Sequence, residues 1–143
     1  MHGQLGDGSA EGGHLLRHAP CKGATALVEI ACGGWCTVAR SAIGDVWLSG
    51  WLGSDRRLLE LTLVESLAER NATHVSAGAR HFAVACDDGS VFLCGTLVLG
   101  GDAVGLAPLR RQGVWTSEVP VRVASLQAMP RLLASGSQHV VLA

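Results

Sequence analysis

The stretch from Val75 to Gly95, Val-Ser-Ala-Gly-Ala-Arg-His-Phe-Ala-Val-Ala-Cys-Asp-Asp-Gly-Ser-Val-Phe-Leu-Cys-Gly, can be laid on two other parts of the chain. Its glycines at 78, 89 and 95 have counterparts 45 residues earlier at Gly33, Gly44 and Gly50. Its Gly-x-x-His opening returns 58 residues later as Gly136-Ser-Gln-His139. A sequence that matches itself at such a period builds its fold from neighbouring copies of one unit, and each copy buries its apolar faces against the next.

The unit reads as a β-hairpin. Val75, Ala77, Phe82 and Val84 are spaced close to the two-residue alternation of a strand, Asp87-Asp88-Gly89 is a tight-turn signal, and Val91-Phe92-Leu93 is a second strand closed by Gly95. The earlier copy repeats this with Thr37-Val38-Ala39, a turn at Gly44-Asp45, and Val46-Trp47-Leu48 before Gly50. Glycine suits such turns because it accepts the positive φ that a twisted two-strand connection demands.

These motifs together resemble the regulator of chromosome condensation repeat: a small-Gly turn, a histidine three residues after the glycine, a Gly-x-Val-aromatic strand and a closing glycine. His2-Gly-Gln-Leu-Gly-Asp-Gly8 is similar to the Gly-Gln-Leu-Gly-x-Gly loop of that repeat, and Pro120-Val-Arg-Val-Ala-Ser-Leu126 to its Pro-x-x-Val-x-x-Leu strand. Leu61 to Leu67 gives the same strand with leucine in place of proline. The resemblance implies an all-β fold, a partial β-propeller of the seven-bladed type, with about two and a half blades in this chain. It also implies structural, hydrogen-bonded roles for His81 and His139. Cys36 departs from the pattern where a histidine is expected, and Ser49 and Cys94 depart where the repeat has tryptophan.

The chain divides accordingly. Residues 1–27 are expected to be loop and the end of a preceding repeat, 28–72 a first repeat, 73–130 a second repeat carrying an inserted loop over 96–119, and 131–143 a partial third. Between 51 and 72, Leu58, Leu61, Val64 and Leu67 recur at three-residue steps, which fits a short helix, but the match to 120–126 favours a strand and loop. Trp51 is expected to pack in the core. Leu132, Leu133, Val140, Val141 and Leu142 are expected at an unprotected end, so completion by other chains or self-association is expected.

Composition bounds the function. With 48% hydrophobic and 16% charged residues the 143-residue chain is globular. Eleven basic against twelve acidic residues leave a formal charge of −1, so neither nucleic acid nor membrane is expected as a partner. Five cysteines and a polar, glycine-rich start point to an intracellular location, cytoplasmic or nuclear. Cys32 and Cys36 read as small buried thiols, since their spacing matches neither a metal hook nor a redox pair. His14 and His18 read as loop histidines that lack a third ligand.

No nucleophile elbow, paired cysteine hooks, zinc-protease helix or phosphate loop occurs in the sequence, so no enzyme activity, catalytic residue, metal or cofactor is expected. Asp87 and Asp88 serve the turn. The expected role is a protein-protein interaction module, with guanine-nucleotide exchange on a Ras-like small GTPase as the alternative that the resemblance implies. The inserted loop supplies the candidate partner-binding residues Arg110, Arg111 and Trp115, because projecting loops carry function and Trp and Arg dominate binding hot spots.

Overall fold

The computed structural model describes residues 3–9, 23, 26–52, 57–99, 113–128 and 130–143. Ten strands follow one another: β1 (Leu27–Cys32), β2 (Cys36–Ser41), β3 (Val46–Trp51), β4 (Arg57–Leu63), β5 (Ala72–Ala77), β6 (His81–Cys86), β7 (Ser90–Leu99), β8 (Gly113–Ser125), β9 (Leu133–Ser135) and β10 (Val140–Leu142). They form two four-stranded antiparallel meanders, β1-β2-β3-β4 and β5-β6-β7-β8, and the two-stranded sheet β9-β10. The all-β expectation holds among the described residues, where the helical content is a single 3-10 turn at Glu65–Leu67.

The hairpin turns form where the glycines place them. Gly44 (φ 88°) and Gly89 (φ 77°) take the left-handed backbone. Each donates its N–H at 3.1 Å to the residue three before it, Ser41 and Cys86. Asp88 caps its turn by accepting the Ser90 amide at 2.8 Å, and Asp87 accepts from the Asn71 side chain at 3.1 Å. Asp88 thus serves the turn, as expected, while the Asp87 carboxylate ties the turn to the residue that precedes β5.

Period-two alternation sorts each sheet into two faces. Cys36, Val38, Val46 and Leu48 of the first sheet meet Val75, Phe82, Val84 and Phe92 of the second in one buried layer. Ala83, Val91 and Leu93 on the opposite face of the second sheet meet Leu133, Val140 and Leu142 of the third. The sheets are thus layered in chain order, each sealed by its neighbour. The first sheet's other face carries Ala39, Trp47 and Leu61. The loop at residues 3–9 lies against that sheet: the Gln4 carbonyl accepts Thr37 Oγ1 at 2.7 Å and Ser49 Oγ at 3.2 Å, and Asp7 bridges to Glu60. Ser49, which departs from the repeat pattern, is fully buried there and uses its hydroxyl to hold the loop.

Residues 57–63 are a strand, the reading that the match to 120–126 favours, because β4 pairs with β3 from Trp51↔Arg57 to Trp47↔Leu63. Two other expectations change. The segment over 96–119 is strand at both ends: β7 runs on to Leu99 and β8 starts at Gly113, paired through Thr96↔Thr116, Leu97↔Trp115 and Val98↔Val114. Trp51 is half-buried at the end of β3 and stacks on another indole.

Candidate functional site

One turn recurs at the same end of all three sheets. Gly33, Gly78 and Gly136 each donate their N–H to the carbonyl three residues on, that of Cys36 (2.7 Å), His81 (2.8 Å) and His139 (2.8 Å). The next residue then reaches across to the following sheet: Gly34 N–H donates to the Gly78 carbonyl and Ala79 N–H to the Ser137 carbonyl, both at 3.1 Å. The first and second repeats also match where β3 and β7 leave the turn. Trp51 N–H donates to the Trp35 carbonyl at 2.8 Å, and Thr96 N–H to the Arg80 carbonyl at 2.7 Å. A rim of tight, cross-linked turns results, with Trp35, Arg80 and Gln138 at equivalent positions.

Inside the rim the histidines sit on glycine. A Cβ added at Gly78 would lie 2.6 Å from His81 Nε2, and one added at Gly136 would lie 2.5 Å from His139 Nε2. The repeat needs glycine there because an imidazole occupies the side-chain space. His81 is fully buried, yet neither ring nitrogen has a hydrogen-bond partner among the described residues. The hydrogen-bonded role expected for it is therefore corrected: the ring fills volume. Burial, helped by the charge of nearby His139, lowers its pKa to about 4, so it is neutral at physiological pH. Cys36, the counterpart of His81 in the first repeat, points its thiol at the His81 carbonyl at 3.8 Å. Burial raises Cys36 and Cys94 to about 12 and Cys86 to about 11. Cys32, expected to be buried, is exposed, because its side of β1 faces away from the second sheet.

Outside the rim, three side chains from two repeats converge. The Trp35 and Trp51 rings stack with centroids 4.5 Å apart and planes at 27°. The Arg80 guanidinium lies 4.3 Å from the Trp35 centroid and 5.5 Å from that of Trp51. These distances describe a compact triangle, with the cation beside both indoles. Sequence reasoning singled out Trp51 without Trp35 or Arg80, although all three flank the repeat's own glycines: Trp35 and Arg80 each stand two residues after Gly33 and Gly78, and Trp51 follows Gly50.

Of the partner-binding residues expected from the sequence, Arg110 and Arg111 lie outside the described residues, as do His14 and His18. Trp115 lies on β8 opposite Leu97 and packs, partly buried, on the layer between the second and third sheets. The adjacent cross-strand pair points the other way: Val98 is 47% exposed and Val114 69% exposed. Thr96, on that same side, donates its hydroxyl to the Leu52 carbonyl at 3.4 Å, which ties the long β7-β8 hairpin to the residue after Trp51. Among the described residues no group of three or more His, Cys, Asp or Glu could hold a metal ion, and no helix is long and apolar enough to cross a membrane.

No protein-family model matches the chain. It is 33% identical over 124 residues to the human regulator of chromosome condensation, across 81% of this chain and 28% of that protein. It is 27% identical over 147 residues to the human E3 ubiquitin-protein ligase HERC2, across 97% of this chain and 3% of that protein. Among solved structures it superposes on yeast RCC1 (Prp20), crystallised with Kap60, with a TM-score of 0.74 at 21% identity, covering 99% of this chain and 36% of the other. Human WBSCR16 gives a TM-score of 0.69 at 21% identity, covering 98% and 37%. The likeness to these structures establishes a β-propeller fold, of which this chain supplies part. The chain spans less than a third of the curated relatives' length and little over a third of the solved chains.

Proposed function

We propose that this chain, which belongs to the regulator of chromosome condensation-like repeat family, works as a protein-interaction segment of a propeller in the cytoplasm or nucleus. The observation that carries this reading is the Val98-Val114 pair. It is an apolar patch on the exposed side of a hairpin whose other side is anchored by buried Leu97 against Trp115. Exposed apolar residues that sit together on a paired hairpin are a usual footing for a partner. Arg110 and Arg111, expected from the sequence as partner-binding residues, stay part of the proposal by their place in the sequence alone, and Trp115 serves it by packing on the layer beneath the hairpin. No cofactor, nucleic acid or membrane is part of the reading. Neighbouring sheets of the same repeat type, on this or another chain, would cover the outer faces.

A photo-crosslinker at position 114, used in cells, tests it. The expected result is a small set of discrete adducts that Val98→Lys abolishes. A smear of adducts indifferent to Val98→Lys would contradict it.

A second reading, guanine-nucleotide exchange on a Ras-like small GTPase, draws on the 33% identity to the regulator of chromosome condensation. A solved structure of yeast Prp20p also describes binding to Gsp1p and histones. Its test is the release of labelled GDP from a small GTPase on addition of the chain, with no acceleration counting against it.

A further inference from the structure

The Trp35-Trp51-Arg80 triangle joins a fixed backbone to a fixed, exposed cation. Its backbone is fixed, because Trp35 and Arg80 both lend their carbonyls to the strand that leaves the rim, and Gly34 and Ala79 beside them are hydrogen-bonded to the following sheet. Its cation is fixed too, by two indole faces at 4.3 and 5.5 Å. Arg80 is exposed and forms no ion pair with a carboxylate among the described residues.

We infer that this triangle is an anchor for an acidic segment of a partner protein, in which an Asp or Glu carboxylate pairs with Arg80 and an apolar neighbour lies along the indoles. The inference rests on the protein-interaction reading above and adds the chemistry of the partner. Three physical points favour this occupant. A guanidinium presents a planar fork of donors that a carboxylate engages with two parallel hydrogen bonds. Stacking on tryptophan pre-orders the arginine, so little side-chain freedom is lost on binding. Nucleic acid suits the site less, since its affinity comes from neutralising many phosphates at once. The site offers the one guanidinium of Arg80, on a chain whose formal charge is −1.

The test is selection of a displayed random dodecapeptide library on the intact chain, followed by titration of labelled winners and of a dT12 oligonucleotide. Indole fluorescence is the readout. Acidic peptides carrying an apolar neighbour should be enriched, should quench or shift the indole emission saturably, and should bind at least tenfold more weakly to Arg80→Gln. Arg80 is exposed and its carbonyl is unaltered in that variant, so an unchanged unfolding midpoint confirms that the fold survives. Trp35→Leu should weaken the same peptides independently. If the winners are not acidic, or bind Arg80→Gln equally well, the anchor proposal is overturned while the interaction reading stands. If dT12 binds with the same dependence on Arg80, the partner is nucleic acid and the proposal is likewise overturned. If nothing is selected and crosslinking from position 114 also yields nothing discrete, both readings fall.

Discussion

Ile30 and Val75 occupy the same place in successive repeats, yet Ile30 is 61% exposed and Val75 is 3% exposed. Their partners across the hairpin, Ala39 and Val84, are also equivalent. The difference is the neighbouring sheet: Val75 looks into the layer filled by the first sheet, and Ile30 looks out of the described stack. Val75→Ser should therefore cost about 3 kcal/mol, from the lost apolar contacts and a buried hydroxyl. Ile30→Ser should cost under about 1 kcal/mol in the chain studied alone. Urea unfolding of the two variants checks this, and equal losses would contradict the layering.

Gly78 is irreplaceable for a reason of space. A Cβ there would collide with the His81 ring and would stand 2.5 Å from the Gly136 carbonyl of the next repeat. Gly78→Ala should destabilise by roughly 1–3 kcal/mol, the usual cost of overpacking a close-packed site. The double variant Gly78→Ala/His81→Ala should recover part of that loss if the ring is the main obstacle, which a double-mutant cycle measures.

His81 gives stability a pH dependence whose sign is fixed by its lowered pKa. The folded imidazole titrates at about 4, against 6.5 in the unfolded chain, so between these values the unfolded chain binds more protons. The contribution is complete above pH 6.5 and is lost as pH falls towards 4, by up to about 3 kcal/mol. His81→Leu should remove this part of the slope. Unfolding midpoints taken across pH 4 to 7.5 for both chains test it.

The thiols should separate by accessibility. Cys36, Cys86 and Cys94 are buried with raised pKa values, and a buried thiol with little thiolate is a poor nucleophile. Among the four cysteines of the described residues, Cys32 should react with a maleimide in the native chain at pH 7.5, and Cys36, Cys86 and Cys94 only after denaturant is added. Peptide mapping of the labelled chain distinguishes them.

Much of this fold was legible because the repeat writes its geometry into glycines. Gly44 and Gly89 marked the turns, and the 45-residue offset aligned hydrogen bonds as well as letters: Gly33 to Cys36 repeats as Gly78 to His81. The β7-β8 extension was hidden because Leu97-Val-Leu followed by glycines reads equally as loop, and only cross-strand pairing with Val114 and Trp115 makes it strand. The environment of His81 is not legible in the sequence: a histidine in a repeat suggests hydrogen bonding, whereas here the glycine beneath it makes room for a ring whose nitrogens find no partner among the described residues. The Trp35-Trp51-Arg80 cluster is not legible in the sequence because its members come from two repeats. Their proximity depends on how the sheets stack, which one repeat's sequence does not encode.

The amides of Gly34 and Ala79 stitch each turn to the next sheet, so the rim behaves as a seam along one end of the stack. Trp35 stands on one side of that seam and Arg80 on the other. A ligand that gripped both would act as an external staple, resisting the splaying of adjacent blades, and occupancy at the surface would be felt as stiffness in the ring.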